Sequence, residues 1–319
     1  MKAFVKRRYG SPDVLRVEEI ERPVPSEEQV LVRIHASAIN AHDWHMVRGK
    51  PYIARLSEGL RHPKDGSIGL DVAGIAEEVG SAVTHVKAGD RVFGSRYGAF
   101  ADYVAGKNMI AMPPNATFEQ AAAVPTAGYT ALQGLRDKGG LQPGQRVLVN
   151  GAGGGVGTMA VQIGKALGAE VTAVTSSAKV ELVRSIGADH VIDYSVTDPT
   201  RLKDRYDLVL DIGGNHSLSG LGRILAPGGS IVLVGPGAGQ WIGPIARVAG
   251  AVIRTRFGSH PIRAFLADPN REDLEYLKGL MEAGSLTPVI ERTYPFDRIP
   301  EAIAHVESGK AQGKLVITH

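Results

Sequence analysis

The stretch Arg146-Val-Leu-Val-Asn-Gly-Ala-Gly-Gly-Gly-Val-Gly157 joins a short apolar run directly to a cluster of glycines. The apolar run is typical of a buried strand, and the residues after the glycines have the spacing of an amphipathic helix. A strand, a glycine-rich turn and a helix in this order are typical of the turn that holds the pyrophosphate of a dinucleotide. The alternative is a glycine-rich turn that binds no ligand.

The type of dinucleotide depends on the end of the next strand. A site for NAD normally places Asp or Glu about 20 residues after the glycines, where the carboxylate holds the ribose 2′-hydroxyl. Here the strand Val171–Thr175 is followed by Ser176, Ser177, Ala178 and Lys179, with no carboxylate. The hydroxyl of Ser176 and the ammonium of Lys179 suit a 2′-phosphate, which predicts NADPH. Alternatively, the two serines cap a helix that begins near Val180, and both roles are compatible.

The surrounding sequence places this unit in the middle of a two-domain chain. Apolar strands alternate with helical patterns from about Phe118 to Arg254, with helices near 156–167 and 180–186, which predicts a doubly wound parallel sheet, the Rossmann fold. After it, the sequence predicts helices at 271–283 and 300–308. The first third has short strands separated by Gly, Pro and Asp, and it predicts a compact barrel or sandwich. We therefore expect an α/β protein with a Rossmann domain at 118–257, inserted between two parts, 1–117 and 258–319, of a β-rich substrate domain.

Composition excludes several other classes. The sequence has no cysteine, which removes disulfides, thiol nucleophiles and thiolate zinc sites. Its formal net charge of +3 and its short basic runs do not indicate nucleic-acid binding. The N-terminus lacks the apolar segment of a signal peptide, and no apolar run approaches the ~20 residues that span a bilayer. These features predict a cytoplasmic protein that does not enter a membrane.

The motifs together resemble the medium-chain dehydrogenase/reductase superfamily, in particular its zinc-free quinone oxidoreductase branch. The resemblance covers nearly the whole chain. It is carried by the glycine cluster and by five further motifs, namely Asn40-Ala-His-Asp43, Gly69-Leu-Asp-Val-Ala-Gly74, Gly89-Asp-Arg-Val-Phe-Gly94, Gly187-Ala-Asp-His-Val-Ile-Asp-Tyr194 and Gly313-Lys-Leu-Val316. It implies that the β-rich domain is GroES-like and that the protein is commonly a homodimer, for which 230–234 followed by 248–257 could supply an edge strand.

The resemblance also implies that the catalytic zinc of related enzymes is missing. Asn40 stands where those relatives have their first cysteine ligand, and Leu70 stands where they have a histidine ligand. The cysteine-rich lobe that holds structural zinc is absent after Gly94. The segment from Ala54 to Ser67 is similar to the alkenal- and enone-reducing subgroup.

Cofactor contacts follow from the same resemblance. The pyrophosphate would meet the glycine cluster, the adenosine ribose and its phosphate would meet the second strand and the tyrosine motif, and the nicotinamide would approach the ends of later strands. The predicted cofactor residues are Thr130, Gly151, Gly153, Gly154, Gly155, Val156, Gly157, Ser176, Lys179, Tyr194, Gly213, Leu233, Val234, Gly235 and Lys314. For Tyr194 the alternative is a half-buried surface tyrosine, and for Thr130 it is a hydroxyl bonded back to its own helix.

Asn40, Asp43 and Tyr52 are the predicted catalytic residues. Asn40 could hydrogen-bond the cofactor or an acceptor oxygen. Asp43 would orient its neighbours rather than transfer protons, because an unperturbed aspartate has a pKa of about 3.9, and the alternative is a carboxylate that caps a turn. Tyr52 could donate a hydrogen bond or a proton to an enolate oxygen, or it could be a packing aromatic. Trp241, after a glycine-rich loop, could border the acceptor pocket or an interface.

These residues predict an enzyme that transfers hydride from NADPH to an acceptor that is already electrophilic. Quinones and α,β-unsaturated carbonyls are such acceptors, because hydrogen-bond donors can stabilise the charge that develops on their oxygen. Two alternatives stay open at this point. One is a zinc-type alcohol or aldehyde dehydrogenase, and the other is a cofactor-binding protein with little catalytic activity.

Overall fold

A computed structural model describes residues 1–235, 250–251, 255 and 260–319. The chain divides into two compact units, one formed by Met1–Ala127 with Pro269–His319 and the other by Gly128–Asp268. The sequence predicted these borders at 117/118 and 257/258, whereas the structure has them later in the chain, at 127/128 and 268/269. Among the residues described, none of the helices combines the length and the apolar character that a bilayer crossing requires.

The second unit contains a parallel sheet, as predicted. Its described strands are β8 (Arg146–Asn150), β9 (Glu170–Thr175), β10 (His190–Asp193), β11 (Tyr206–Asp211), β12 (Leu225–Val234) and β13 (Ile262–Phe265). They lie in the order β10-β9-β8-β11-β12-β13, and each neighbouring pair is parallel. The interior of β8, Val147–Val149, is fully buried, as expected for a strand that is covered on both faces. The strand order reverses at β8, and in such sheets ligands bind at the carboxyl ends of the strands beside this reversal.

Helices connect these strands. They are α4 (Pro125–Leu132), which enters this unit from the first and continues as a π-helical turn to Lys138, then α5 (Gly155–Ala166), α6 (Val180–Ser185) and α7 (Leu218–Gly222). The predicted helices near 156–167 and 180–186 are α5 and α6. The prediction of an edge strand at 230–234 is wrong, because β12 pairs with β11 on one side and with β13 on the other. Trp241 and most of 248–257 lie outside the described residues.

The first unit is rich in strands. They are β1 (Lys2–Val5), β2 (Arg16–Glu19), β3 (Val30–Ile39), β4 (Asp71–Val79), β5 (Arg91–Ser95), β6 (Tyr103–Gly106), β7 (Met109–Ala111), β14 (Ile290–Pro295) and β15 (Lys314–Thr318). The described main sheet runs β14-β15-β3-β4-β5-β7, with β6 paired to β3. Its inward-facing positions, such as Val30, Val32, Val72 and Val92, form an apolar core.

Helices of this unit lie at the ends of strands. They are α1 (Ala41–Arg48), the short α2 (Arg55–Glu58), α3 (Phe118–Ala122), α8 (Arg271–Glu282) and α9 (Ile299–Glu307). The sequence predicted α8 and α9 but missed α1. Helix α1 begins after Asn40, which is extended, and ends at Gly49, whose φ of 59° favours glycine. It therefore fixes the positions of Asn40 and Asp43.

Candidate active site

The glycine-rich turn after β8 depends on two close approaches of the backbone. Gly151 has a φ of 90°, and its N–H donates to the carbonyl oxygen of Val174 in β9 at 3.1 Å. An added Cβ at Gly157 would lie 2.2 Å from the carbonyl oxygen of Gly151. Gly157 therefore packs on the turn itself.

The start of α5 is only partly buried. Gly155, Val156 and Gly157 are its first residues, and the first hydrogen bond of the helix runs from Thr158 N to Gly154 O at 2.9 Å. The N–H groups of the first helical residues have no acceptor within the helix. Among the residues described, an added Cβ at Gly154 would make only an ordinary contact, at 3.7 Å from the carbonyl oxygen of Gly151. These donors and this partly exposed surface fit a pyrophosphate.

Gly153 has a role that the sequence did not reveal. An added Cβ there would lie 2.6 Å from Cδ of Lys179 and 2.7 Å from Oγ1 of Thr175. The lysine side chain therefore passes directly over Gly153. Its path requires glycine at position 153, because the Cβ of any other residue would collide with it. This brings Lys179 beside the glycine-rich turn at the carboxyl end of β9.

The two serines after β9 do not cap a helix. Ser176 precedes a single helical turn at 177–179 and makes no capping hydrogen bond with its side chain, and α6 starts at Val180. The hydroxyl of Ser177 instead donates to Asp193 and lies 2.8 Å from that of Ser195. The capping alternative is therefore wrong.

Tyr194 lies at the same edge of the sheet. Its N–H donates to the carbonyl oxygen of Thr175 at 3.0 Å, and its side chain is 48% exposed. The adjacent Asp193 was missed, because it belongs to the next strand along the chain. Hydrogen bonds from Ser177 and Ser195 lower the pKa of Asp193. The sequence has no carboxylate directly after β9, but Asp193 at the end of β10 places one beside Ser177.

The predicted nicotinamide contacts lie at the ends of β8, β11 and β12. Gly213 N donates to Asn150 O at 3.1 Å, and Asn150 Nδ2 donates to Asp211 Oδ1 at 2.6 Å. Leu233 and Val234 end β12, and Gly235 follows with a φ of 77°. Thr130 is half-buried in α4. All of these belong to the second unit.

A buried polar cluster in the first unit holds Asn40. We call Asn40, Asp71, Lys314 and Thr126 the amide cluster. Asn40 Nδ2 donates to Asp71 Oδ2 at 2.9 Å, and Lys314 Nζ donates to Asn40 Oδ1 at 2.6 Å. Thr126 N donates to Asp71 Oδ1 at 3.0 Å. Lys314 Nζ also lies 3.7 Å from Asp71 Oδ2. The sequence placed Lys314 among the cofactor contacts, whereas its ammonium is engaged within this buried cluster.

Strand register explains how the amide cluster forms. Asp71 opens β4 opposite Ala38 of β3, and Leu315 of β15 lies opposite Ile39. The neighbours Asn40 and Lys314 are therefore brought together across the antiparallel strands. Burial raises the pKa of Asp71 and lowers that of Lys314, and in each case the charge of the other residue opposes this shift.

Asp43 is fully enclosed in the first turn of α1. Its Oδ2 accepts a hydrogen bond of 2.7 Å from Asn40 N, so the capping alternative is observed. Burial raises the pKa of Asp43 to about 7, against the hydrogen bonds from the backbone of Asn40 and Gly69. The argument that this carboxyl has an ordinary pKa is therefore wrong, because it neglected desolvation.

Tyr52 lies in a single helical turn, Tyr52–Ala54, and is half-buried. Two cationic groups face its ring. Arg55 Cζ lies 4.8 Å from the ring centre and Lys50 Nζ lies 6.0 Å from it. Cations over an aromatic face are attracted by the ring electrons, so packing and electrostatics both hold this tyrosine.

In the described part of the chain, no group of three or more His, Asp or Glu side chains is arranged to hold a metal ion. At the position that the resemblance gives to a zinc ligand, the side-chain amide of Asn40 is held on both sides by Asp71 and Lys314.

Two family models match the chain. That of the alcohol dehydrogenase GroES-like domain matches residues 26–133, and that of the zinc-binding dehydrogenases matches residues 186–317. The chain combines a strand-rich GroES-like unit with a parallel sheet that carries a dinucleotide-binding turn. This combination defines an oxidoreductase that binds a nicotinamide cofactor. The chain belongs to the medium-chain dehydrogenase/reductase superfamily, which confirms the resemblance seen in the sequence.

Its similar proteins include reductases of enones and quinones. The chain is 34% identical over 334 residues to the 2-methylene-furan-3-one reductase of Solanum lycopersicum, and 33% identical over 334 residues to the chloroplastic NADPH-dependent alkenal/one oxidoreductase of Arabidopsis thaliana. Each alignment covers 99% of this chain and 79% of the relative. The solved structure of Escherichia coli quinone oxidoreductase complexed with NADPH matches over 100% of both chains, with a TM-score of 0.83 and 27% identity.

Proposed function

We propose that the protein is an NADPH-dependent reductase of quinones or α,β-unsaturated carbonyl compounds that works without a catalytic zinc ion. The observation that carries this proposal is the amide cluster. A neutral amide, fixed between Lys314 and Asp71, stands where zinc-dependent relatives are expected to place a metal ligand. An amide oxygen that already accepts from an ammonium is a poor ligand for a cation, so the site suits an acceptor that is already electrophilic and needs no Lewis acid.

The preference for NADPH rests on the end of β9. Lys179 passes over Gly153 toward the glycine-rich turn, and Ser176 leaves its hydroxyl out of helix capping. An ammonium and a hydroxyl are the groups that a 2′-phosphate requires. Bound NADPH supplies the hydride. The backbone N–H groups of Gly155 to Gly157 would hold the pyrophosphate, and Tyr194 would flank the adenosine ribose.

The names of the relatives support the acceptor class. They include an enone reductase, an alkenal/one oxidoreductase and a quinone oxidoreductase. In this proposal Asn40, whose amide is engaged by Asp71, Ala38 and Lys314, is a positioning residue, Asp43 holds the start of α1 in place, and Tyr52 donates a hydrogen bond to the acceptor oxygen. A cytoplasmic homodimer, as the sequence predicts, belongs to the proposal as well.

The decisive experiment is a panel of acceptors with NADPH and NADH measured side by side. We expect NADPH oxidation with 9,10-phenanthrenequinone or with (E)-2-hexenal, a lower KM for NADPH than for NADH, and no loss of activity with a chelator. Stoichiometric zinc together with alcohol oxidation would identify an alcohol dehydrogenase instead. Tight NADPH binding without turnover of either acceptor would identify a cofactor-binding protein.

A further inference from the structure

A histidine and a tyrosine that the sequence did not assign to the reaction form a pair beside Asn40 and Asp43. His42 is the second residue of α1 and therefore lies in the same helical turn as these two. Its Nε2 shares a hydrogen bond with the hydroxyl of Tyr97, which follows β5. The two rings meet edge to face, with 5.6 Å between their centres and 81° between their planes.

Both members of the pair are uncharged at neutral pH. Burial lowers the pKa of His42 to about 4, and the positive charges of Lys6 and His45 act in the same direction. Burial raises the pKa of Tyr97, as do the negative charges of Glu58, Asp43 and Asp65. A neutral phenol and a neutral imidazole each carry one transferable proton, so the pair can pass a proton without first being charged.

A buried cation supports this state of the pair. Lys6 is 1% exposed, and its Nζ has no hydrogen-bond partner among the residues described. A buried ammonium without a hydrogen bond costs free energy, so its position calls for a compensating use. Burial lowers the pKa of Lys6, and the positive charge that it carries adds to burial, the larger cause, in keeping the imidazole of His42 neutral.

Tyr97 is the accessible member of this group. Its side chain is 37% exposed, whereas Asp43 and Lys6 are buried. It also lines a cavity of about 290 Å³ within the first unit, together with Ser67 and Phe100. The phenol of Tyr97 is therefore open to solvent and to this cavity, whose lining, among the residues described, includes Tyr97 but none of Asn40, Asp43 and Tyr52.

We propose that Tyr97 donates the proton that completes reduction of an α,β-unsaturated carbonyl acceptor, and that His42 returns a proton to Tyr97. This inference rests on the proposed function. Hydride forms a C–H bond at the β-carbon, the C=C electron pair shifts toward the carbonyl, and the carbonyl oxygen gains the negative charge. The O–H bond of Tyr97 breaks as a new O–H bond forms on that oxygen. The enol so formed becomes the saturated carbonyl when its α-carbon takes a proton from water and its O–H proton returns to water. As the Nε2–H of His42 restores the phenol, Nδ1 takes a proton from water, so the ring stays neutral and hydroxide is left in solution.

The first test compares three phenylalanine variants of the full chain. Tyr97→Phe removes the proposed donor, Tyr52→Phe removes the donor considered from the sequence, and Tyr276→Phe removes a hydroxyl on the exposed side of α8, outside the cavity that Tyr97 lines. With NADPH and (E)-2-hexenal, we expect Tyr97→Phe to lower kcat roughly 100-fold, the scale of general acid catalysis, with little change in KM. Tyr276→Phe should match the wild type, and all three should bind NADPH as the wild type does.

The second test separates a chemical role of His42 from a structural one. His42→Ala should lose kcat to a similar extent, and added imidazole should restore part of it. Imidazole should not restore Tyr97→Phe. In the free protein, Tyr97→Phe should shift the ¹⁵N resonances of the His42 ring, whereas Tyr276→Phe should leave them unchanged.

The outcomes distinguish the two proposals. If the wild type oxidises NADPH with the alkenal but Tyr97→Phe is as active as Tyr276→Phe, the proton-donor inference is wrong and the proposed function stands. A loss of kcat confined to Tyr52→Phe would assign the proton to that residue. If the wild type reduces neither the alkenal nor the quinone, both proposals are overturned.

Discussion

Lys314 Nζ donates a hydrogen bond of 2.6 Å to Oδ1 of Asn40, and both residues are buried. This bond fixes which end of the Asn40 amide is oxygen, because an ammonium can only donate. The amide nitrogen is therefore the atom directed at Asp71, at 2.9 Å. The orientation of Asn40 is set by two charged groups, one on each side.

The first prediction concerns the charge balance of the amide cluster. Lys314→Met removes the cation that faces Asp71 and leaves its carboxyl group buried without this partner. Removing one member of a buried ion pair typically costs about 3–5 kcal/mol of stability. We expect a loss of this size in urea unfolding of the full chain. The exposed Lys310→Met is the matched control, and it should change stability by less than about 0.5 kcal/mol.

A double variant tests whether the effect comes from the pair. Asp71→Asn combined with Lys314→Met removes both charges, so it should cost clearly less than the sum of the two single substitutions. Strict additivity would mean that the two residues act independently, and the account of the cluster would have to be abandoned.

The second prediction separates folding from binding in the glycine-rich turn. Gly157→Ala places a Cβ 2.2 Å from a backbone oxygen, so it should lower the thermal unfolding midpoint and weaken NADPH binding. Gly154→Ala meets its nearest atom at 3.7 Å and has an extended backbone that alanine adopts, so stability should be retained. Its methyl group would occupy the space proposed for the pyrophosphate, and NADPH affinity should fall at least tenfold. Equal effects of both substitutions on stability and affinity would contradict this division.

The third prediction concerns the choice of nucleotide. Lys179→Ala removes the ammonium beside Gly153, and a charge-assisted hydrogen bond to phosphate contributes about 1.5–3 kcal/mol. The Kd for NADPH should therefore rise roughly 10- to 100-fold, while the Kd for NADH stays within about twofold. Calorimetric titration of both nucleotides measures this difference, with the exposed Lys203→Ala as control. Equal weakening of both nucleotides would show that Lys179 does not recognise the 2′-phosphate.

Much of the fold is predictable because it follows from local patterns. Strands such as β8 are continuous apolar runs, and the glycine-rich turn has few other uses at the end of such a strand. The predicted helices near 156–167 and 180–186 each lie within about one residue of those observed. These elements depend on neighbours in sequence, so periodicity and turn chemistry suffice to find them.

The amide cluster was not predictable, because it depends on register. Asn40, Asp71 and Lys314 are distant in the chain and meet only through the pairing of β3 with β4 and β15. A slip of one residue would turn these side chains to the opposite face. The Tyr97–His42 pair and the path of Lys179 over Gly153 have the same origin, since each joins segments whose approach no local pattern encodes.

The last prediction concerns the pH dependence of stability. The pKa of Asp43 is raised by burial to about 7, whereas an unfolded aspartate has a pKa of about 3.9. Folding therefore favours the protonated carboxyl, and its contribution to stability is fully present below about pH 4 and is lost as the pH rises through 7. His42 acts in the opposite sense, since its lowered pKa of about 4 makes stability fall as the pH drops from about 6.5.

Asp43→Asn removes the titration of Asp43 but not that of His42, and it keeps a side-chain oxygen that can accept the hydrogen bond from Asn40 N. The stability of the wild type relative to Asp43→Asn should therefore decline between pH 4 and pH 8, by an amount on the order of a few kcal/mol. Denaturant unfolding of both proteins across this pH range measures the difference in stability, with the exposed Asp297→Asn as control. A difference that is flat or rises with pH would show that Asp43 ionises normally.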